Sequence, residues 1–326
     1  MDNKMAGEVI AKPLGTWASR PQIFANSQYC EQDARSSRGF AITSRFMAGG
    51  VVFCIFFLAA SLYAEDAPDV EHSNMCSGIK QCLNVDLPQC STEDKKPNPK
   101  IRYNASFCAP YVELRQRGLQ PDNSMAYGLY RYMGRQYRIT YEFNGTLPVS
   151  KEIMMYLFDN MEFTAQLINA YMKTNYTIKY DASDKKNFSG DNGGRMHGNF
   201  IWLLNDRAGT NPGMHHVFFG WGGVKIATTH FAGAATIILD LKEAGKNSVA
   251  YELRIIVSPN GPAMNIALNI FYGVTRRMIR DTINDIESSA GEFARRNRVP
   301  IENYGPFKDE KWKKNLQELD TITKNF

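Results

Sequence analysis

From position 137 the chain alternates between apolar and polar residues. Tyr137, Ile139, Tyr141 and Phe143 interleave with Arg138, Thr140, Glu142 and Asn144, which predicts a strand with one wet face. Pro148 and Ser150 then open a helical stretch, with Ser150 suited to the N-cap. Its apolar residues Ile153, Met154, Leu157, Phe158, Met161, Leu167, Ile168 and Tyr171 keep helical spacing, and Asp159-Asn160 predicts a split into two short helices. Tyr176, Ile178 and Tyr180 give a second strand. Asp191-Asn-Gly-Gly194 is a turn signal, and Phe200, Trp202 and Leu204 give a third strand.

After a second turn signal at Asn211-Pro-Gly213, His215, Val217, Phe219 and Trp221 share one face of a strand. The Gly-Trp-Gly-Gly run at 220–223 reads as a turn within the sheet. Val224, Ile226, Thr228 and His230 share the next face, assigned inward. Ala235, Ile237, Leu239 and Leu241 continue with parity switched across Phe231-Ala-Gly233, which predicts a bulge or turn there. Val249, Tyr251, Leu253, Ile255 and Val257 form the last strand, for six or seven in all. Ser258-Pro-Asn-Gly-Pro262 ends it and starts a long helix reaching about Arg296. Ala263, Ile266, Ala267, Ile270, Phe271, Val274, Met278, Ile286 and Phe293 mark its apolar stripe. Arg276, Arg277 and Arg280 fall on the opposite, solvated face. Residues 298–326 carry a short amphipathic tail with Trp312, Leu316, Leu319 and Ile322 on one side.

The N-terminal part reads differently. Residues 1–45 are polar, without periodicity, and form an unstructured leader. Residues 46–64 are uncharged and apolar, with Arg35, Arg38 and Arg45 before them and Glu65, Asp66, Asp69 and Glu71 after. That asymmetry sends the C-terminal part across a membrane. The run fits either a signal peptide ending near Ala64 or an uncleaved anchor. Either way, residues 65–326 are expected outside the cytoplasm, in a periplasm or extracellular space.

Cysteine placement agrees. Residues 65–135 form a Cys/Pro-rich segment with one short helix expected in 111–135, and Cys76, Cys82, Cys90 and Cys108 cluster in its polar, Pro-containing part. Two disulfides there would staple a segment poor in apolar residues, with three pairings open. A zinc site is the weaker reading, because no C-x-x-C pair occurs and His72 alone lies nearby. Composition adds limits. A hydrophobic fraction of 44%, 22% charged residues and a net charge of +5 over 326 residues describe a globular chain. With a mean hydropathy of -0.37 they argue against a polytopic membrane protein. A charge this small is weak support for a nucleic-acid partner, and none is expected. No phosphate loop, dinucleotide fingerprint, nucleophile elbow or H-E-x-x-H motif occurs. No catalytic residue, metal site or cofactor is expected.

The order strand, helical pair, antiparallel strands, long C-terminal helix over residues 136–297 resembles the helix-grip fold of the START and polyketide-cyclase-like (SRPBCC) superfamily. The resemblance rests on element order over about half the chain, and the structural alternative is an unrelated α+β domain with a sheet packed on helices. It implies an α+β domain whose curved antiparallel sheet wraps the long helix around an apolar cavity. It also implies an apolar small molecule or lipid as ligand, with membrane contact only through residues 46–64 if they stay uncleaved. His230, His215, Trp202, Trp221, Tyr141, Tyr180 and Tyr251 are the expected ligand-facing residues. Ordinary core packing is the competing reading for the aromatics, and a satisfied structural role for the histidines. A cyclase- or hydrolase-like enzyme using a cavity histidine as base, and an interaction module with a filled core, are the alternatives.

Overall fold

The computed structural model describes residues 68–133, 138–181, 185–206 and 214–324. The leader, the apolar run at 46–64, Tyr137 and the turn signal at 211–213 lie outside the described residues.

Three helices come first: α1 (Pro68–Leu83), α2 (Ala105–Gln116) and α3 (Ser124–Met133). Then follow β1 (Ile139–Leu147), α4 (Lys151–Asp159), α5 (Met161–Met172), β2 (Tyr176–Tyr180), β3 (Asn187–Asn192), β4 (Met196–Asp206), β5 (Met214–Ile226), β6 (Thr229–Gly245) and β7 (Ser248–Pro259). The chain continues through α6 (Pro262–Ile270), α7 (Tyr272–Ala294), α8 (Val299–Asn303), a 3-10 turn (Gly305–Lys308) and α9 (Glu310–Lys324). The seven strands form one antiparallel sheet in the order β1–β7–β6–β5–β4–β3–β2. Strands β2 to β7 follow one another as neighbours. The α4–α5 pair carries the chain from β1 at one edge to β2 at the other.

Local chemistry sets the helix and turn boundaries near the sheet. The Ser150 hydroxyl caps α4 by accepting from the Ile153 N–H. Asn160, at φ -128° and ψ 52°, separates α4 from α5. Past the end of α5, buried Asn169 accepts from the Tyr176 N–H at 2.7 Å and donates to the Tyr176 carbonyl at 2.8 Å. One side chain thereby fixes the path from helix to edge strand. At the β3–β4 turn, Asp191 Oδ1 accepts from the N–H groups of Gly193 and Gly194.

Both faces of the sheet are covered. The inner face packs against α4, α5, α6 and α7 through Tyr141, Phe143, Val249, Tyr251, Met278 and Ile283, among others. The outer face carries Val217, Phe219, Ala234, Ile238 and Ile256, which bury Tyr111 and Leu114 of α2 and Leu129, Tyr130 and Met133 of α3. Disulfides Cys76–Cys90 and Cys82–Cys108 tie α1 to the following loop and to α2. A chain of ions crosses from that layer to the sheet. Arg117, at the C-cap of α2, holds both Asp240 oxygens at 2.6 Å, and His215 Nδ1 lies 2.7 Å from Asp240 Oδ1. Glu113 binds Arg117 and also Arg254, which reaches Glu142. Burial opposes the Asp240 charge, but Arg117 and His215 outweigh it and hold the carboxyl below its usual value of 3.8.

Three sequence expectations need correction. Residues 220–223 are not a turn: β5 runs unbroken from Met214 to Ile226. The turn falls at Ala227-Thr228, where Ala227 takes φ +54° and the register pairs Ile226 with Thr229. No parity switch occurs at 231–233, and the odd residues of β6 face inward along its length. The apolar stripe is the third. Ile266, Ile270 and Val274 are exposed, Ile270 by 72%; Met278 and Phe293 of the expected stripe are buried, together with Leu268 and Thr275, which the stripe left out. Segment α6 is apolar nearly all round, so spacing could not select its packed face. The long helix also breaks once, at Phe271, whose ring packs on Phe231 while neighbouring Tyr272 stacks on Tyr141 at 4.9 Å.

Candidate functional site

Between the inner face and α7 lies an apolar cavity of about 520 Å³. Its walls come from three directions. Helices α4 and α5 contribute Leu157, Phe158 and Ala165; the sheet contributes Phe188, Phe200, Ile237 and Leu239; α7 contributes Ile283, Ile286, Ala290 and Phe293. A volume of this size is typical of small-molecule sites, and such sites show mostly apolar walls with a few placed polar groups.

Two tyrosine–carboxylate pairs join α7 to opposite halves of the sheet. Tyr251 of β7 donates to Glu287 Oε1 at 2.6 Å, and Tyr176 of β2 donates to Asp285. Burial first, and the carboxylate second, push each phenol up to about 12, so both stay protonated donors at neutral pH. Asn192 of β3 adds a bond to Thr282 at 3.2 Å. The first pair needs a glycine opposite it on β1. A Cβ on Gly145 would stand 2.6 Å from the Tyr251 hydroxyl and 2.7 Å from Glu287 Oε1. Together these contacts hold α7 to the sheet on both sides of the cavity.

The seven residues expected to face a ligand separate into two groups. Tyr251 lines the cavity. Trp202, Tyr141 and Tyr180 are on the inner side but pack beside the cavity rather than along its wall. Trp202 lies in an aromatic group with Phe158, His216 and Phe218, and its buried indole N–H has no hydrogen-bond partner among the described residues. Tyr141 stacks on Tyr272, and the Tyr180 hydroxyl accepts from the Met161 N–H. His230, His215 and Trp221 are on the outer face, against expectation. His230 pairs with Lys225 at the exposed end of the β5–β6 hairpin. His215 is held by Asp240, and Trp221 is 50% exposed. For His230 the displaced turn shifted the register by one residue, which reverses the face. For His215 and Trp221 the helical layer made the outer face apolar too, so an apolar strand face did not mark the inside.

Other wall residues carried little sequence signal. Glu287, Ser288 and Ser289 form a polar run in the sequence, which places them on the polar face of the helix. Burial on α7 shows Glu287 and Ser289 instead at the edges of its cavity side. His72, Cys76 and Cys90 lie close enough to share an ion, with ligand atoms within 4.8 Å. The two sulfurs are bonded to each other, however, and a disulfide offers no thiolate to a metal. Among the described residues no helix is long and apolar enough to cross a membrane.

No protein-family model and no curated protein matches the chain. Solved structures do. The crystal structure of Ara h 8.0201 matches with a TM-score of 0.34 and 11% identity, over 49% of this chain and 99% of that one. A conserved protein from Geobacillus kaustophilus matches with a TM-score of 0.35 and 11% identity, over 47% and 96%. Dicamba monooxygenase bound to dicamba matches with a TM-score of 0.30 and 12% identity, over 60% and 62%. Likenesses at these scores carry no argument about what this chain does.

Proposed function

We propose that this chain is an exported protein that binds an apolar small molecule or lipid between its sheet and α7, in an arrangement of the helix-grip type. The observation that carries the reading is the cavity of about 520 Å³, with walls built almost wholly of aliphatic and aromatic side chains. Burying the apolar surface of a ligand there is favourable at roughly 25 cal/mol per Å². The seven-stranded antiparallel sheet and the helix lying across it supply the two walls such a site needs. The two disulfides are compatible with an oxidising compartment, in line with the export reading of residues 46–64. His230 and His215, the two histidines expected to serve a cyclase-like reaction as base, stand on the other face of the sheet, so that route to catalysis gains no support.

Native mass spectrometry of the full chain, purified from its own source after mild extraction, tests this. The expected result is a discrete added mass that organic solvent removes. Repeated preparations without any bound species, together with no uptake of a neutral apolar dye, contradict the reading.

A further inference from the structure

The helical layer on the outer face stops short of one part of the sheet. Tyr132 of α3 packs its ring 5.5 Å from Phe219, and its carbonyl accepts from the Ser258 hydroxyl of β7 at 3.3 Å. The next outward position on β5 is Trp221, which is half exposed. Beyond it the outward residues are Gly223 and, opposite on β6, Ala232. The surface therefore drops beside the indole, and a hollow of about 560 Å³ opens there, walled on one side by Tyr132 and Asn260. Register supplies the other side. Trp221 pairs with Asn199 of β4, and Asn199 with Ser189 of β3, so the three side chains stand in one row on the outer face. His197, paired with Gly223, stands in the next row. Between the rows Gly190, Gly198, Gly222 and Gly233 lie in register across four strands. A Cβ on Gly222 would stand 2.1 Å from the His197 carbonyl, so the strands approach too closely there for any side chain. The side chains of Ser189 and Asn199 make no hydrogen bond among the described residues.

We propose that this outer hollow binds a neutral oligosaccharide of gluco-type pyranose units, one ring lying flat on Trp221. The site is separate from the inner cavity and stands whether or not that cavity takes a ligand. A gluco-type ring sets its hydroxyls equatorially and leaves axial C–H bonds on two flat faces. Such a face suits an exposed indole, which is broad, apolar and rigid. The equatorial hydroxyls then reach outward to the rim, where each meets a group that both donates and accepts: the Asn199 amide, the Ser189 hydroxyl and the His197 ring. Other ligand classes fit less well. Among the described lining residues there is no lysine or arginine to neutralise a nucleic-acid backbone. An extended peptide adds to a sheet edge, whereas β4, β5 and β6 are internal strands. A wholly apolar ligand would strip water from the amide and hydroxyls of the rim without replacing their hydrogen bonds.

The test is isothermal titration of the full chain with chitotetraose, cellotetraose and maltotetraose, three soluble oligosaccharides of gluco-type rings. At least one is expected to bind, one per chain, with a Kd on the order of 0.1–1 mM. Trp221→Ala is expected to weaken that binding about tenfold or more, and Trp221→Phe, which keeps a smaller ring face, by about threefold. Asn199→Ala removes one rim partner and is expected to weaken it by a few-fold. Both side chains are exposed, so the melting temperature of each variant should stay at the parent value. Absence of binding by all three sugars at about 10 mM overturns the proposal. So does parent-like affinity in Trp221→Ala. If that variant does not fold, Trp221→Phe and Asn199→Ala carry the test, and unchanged affinity in both overturns it.

Discussion

The two faces of this sheet are finished in opposite ways. On the outer face, α2 and α3 press their side chains onto Val217, Phe219, Ile238 and Ile256, two disulfides cross-link the helical layer, and an ion chain from Arg117 to Glu142 pins it down. On the inner face α7 is attached through Tyr251–Glu287 and Tyr176–Asp285, and about 520 Å³ between helix and sheet is left to be filled. Protein interiors otherwise pack as densely as organic crystals, and unfilled volume forfeits contact energy. The N-terminal helices bury Tyr111, Leu114, Leu129 and Met133 tightly against one face, while a face rich in aromatics is held open. Under the proposed function, stability belongs to the outer layer and ligand capture to the inner one.

The largest effect expected from breaking this contrast is on the outer layer. Replacing Cys82 and Cys108 by serine opens a 26-residue loop and should cost about 3 kcal/mol in urea unfolding. Dye binding in the molecules that remain folded should be retained. Loss of dye binding at concentrations where the variant is still folded would show that the two faces are not separable.

How far the sequence revealed this organisation depends on where the alternation had one meaning. β1 and β7 were legible because Glu142, Glu252 and Arg254 mark their outer side, so Tyr141 and Tyr251 were assigned correctly. The Asp159-Asn160 split and the Asp191–Gly194 turn were legible from local chemistry. β5 was not, because residues 216–220 are buried on both faces and the strand shows no wet side. The turn at Ala227-Thr228 carries neither glycine nor proline and was misplaced onto the glycines, which took His230 to the wrong face. β3 was missed because Asn187–Asn192 contains a single large apolar residue, Phe188. The three N-terminal helices depend on tertiary contacts and disulfides rather than on strong periodicity, and only a short helix was expected there.

The ion chain gives a smaller effect with a pH signature. Asp240→Asn leaves Arg117 partly buried and short of its main partner, and should cost about 2 kcal/mol at pH 7. The folded-state pKa of Asp240 is depressed, so its contribution is complete above the ordinary aspartate value and is lost as pH falls through the folded value. Urea midpoints of parent and variant should therefore differ at pH 7 and draw together only as pH falls below 3.8. A constant difference across that range would remove the electrostatic account of the clamp.

The smallest expected stability change belongs to the inner face. Ala290 lines the cavity from α7, with open volume before it. Ala290→Phe should shift stability by less than about 1 kcal/mol, since the added ring enters space that is empty rather than packed. The same substitution in the outer layer, Ala126→Phe, meets a fully buried site and should cost about 3 kcal/mol or prevent folding. Thermal unfolding of the two variants side by side checks the difference. Equal losses would mean that the inner face is as closely packed as the outer.

The most direct measurement of the central claim is titration of N-phenyl-1-naphthylamine into the parent protein and the Ala290→Phe protein, with the melting temperature of each recorded under the same conditions. The account predicts saturable uptake of one dye per chain by the parent, and at least tenfold weaker uptake by the variant at an unchanged melting temperature. Equal uptake by the two proteins, or none by the parent, would contradict it.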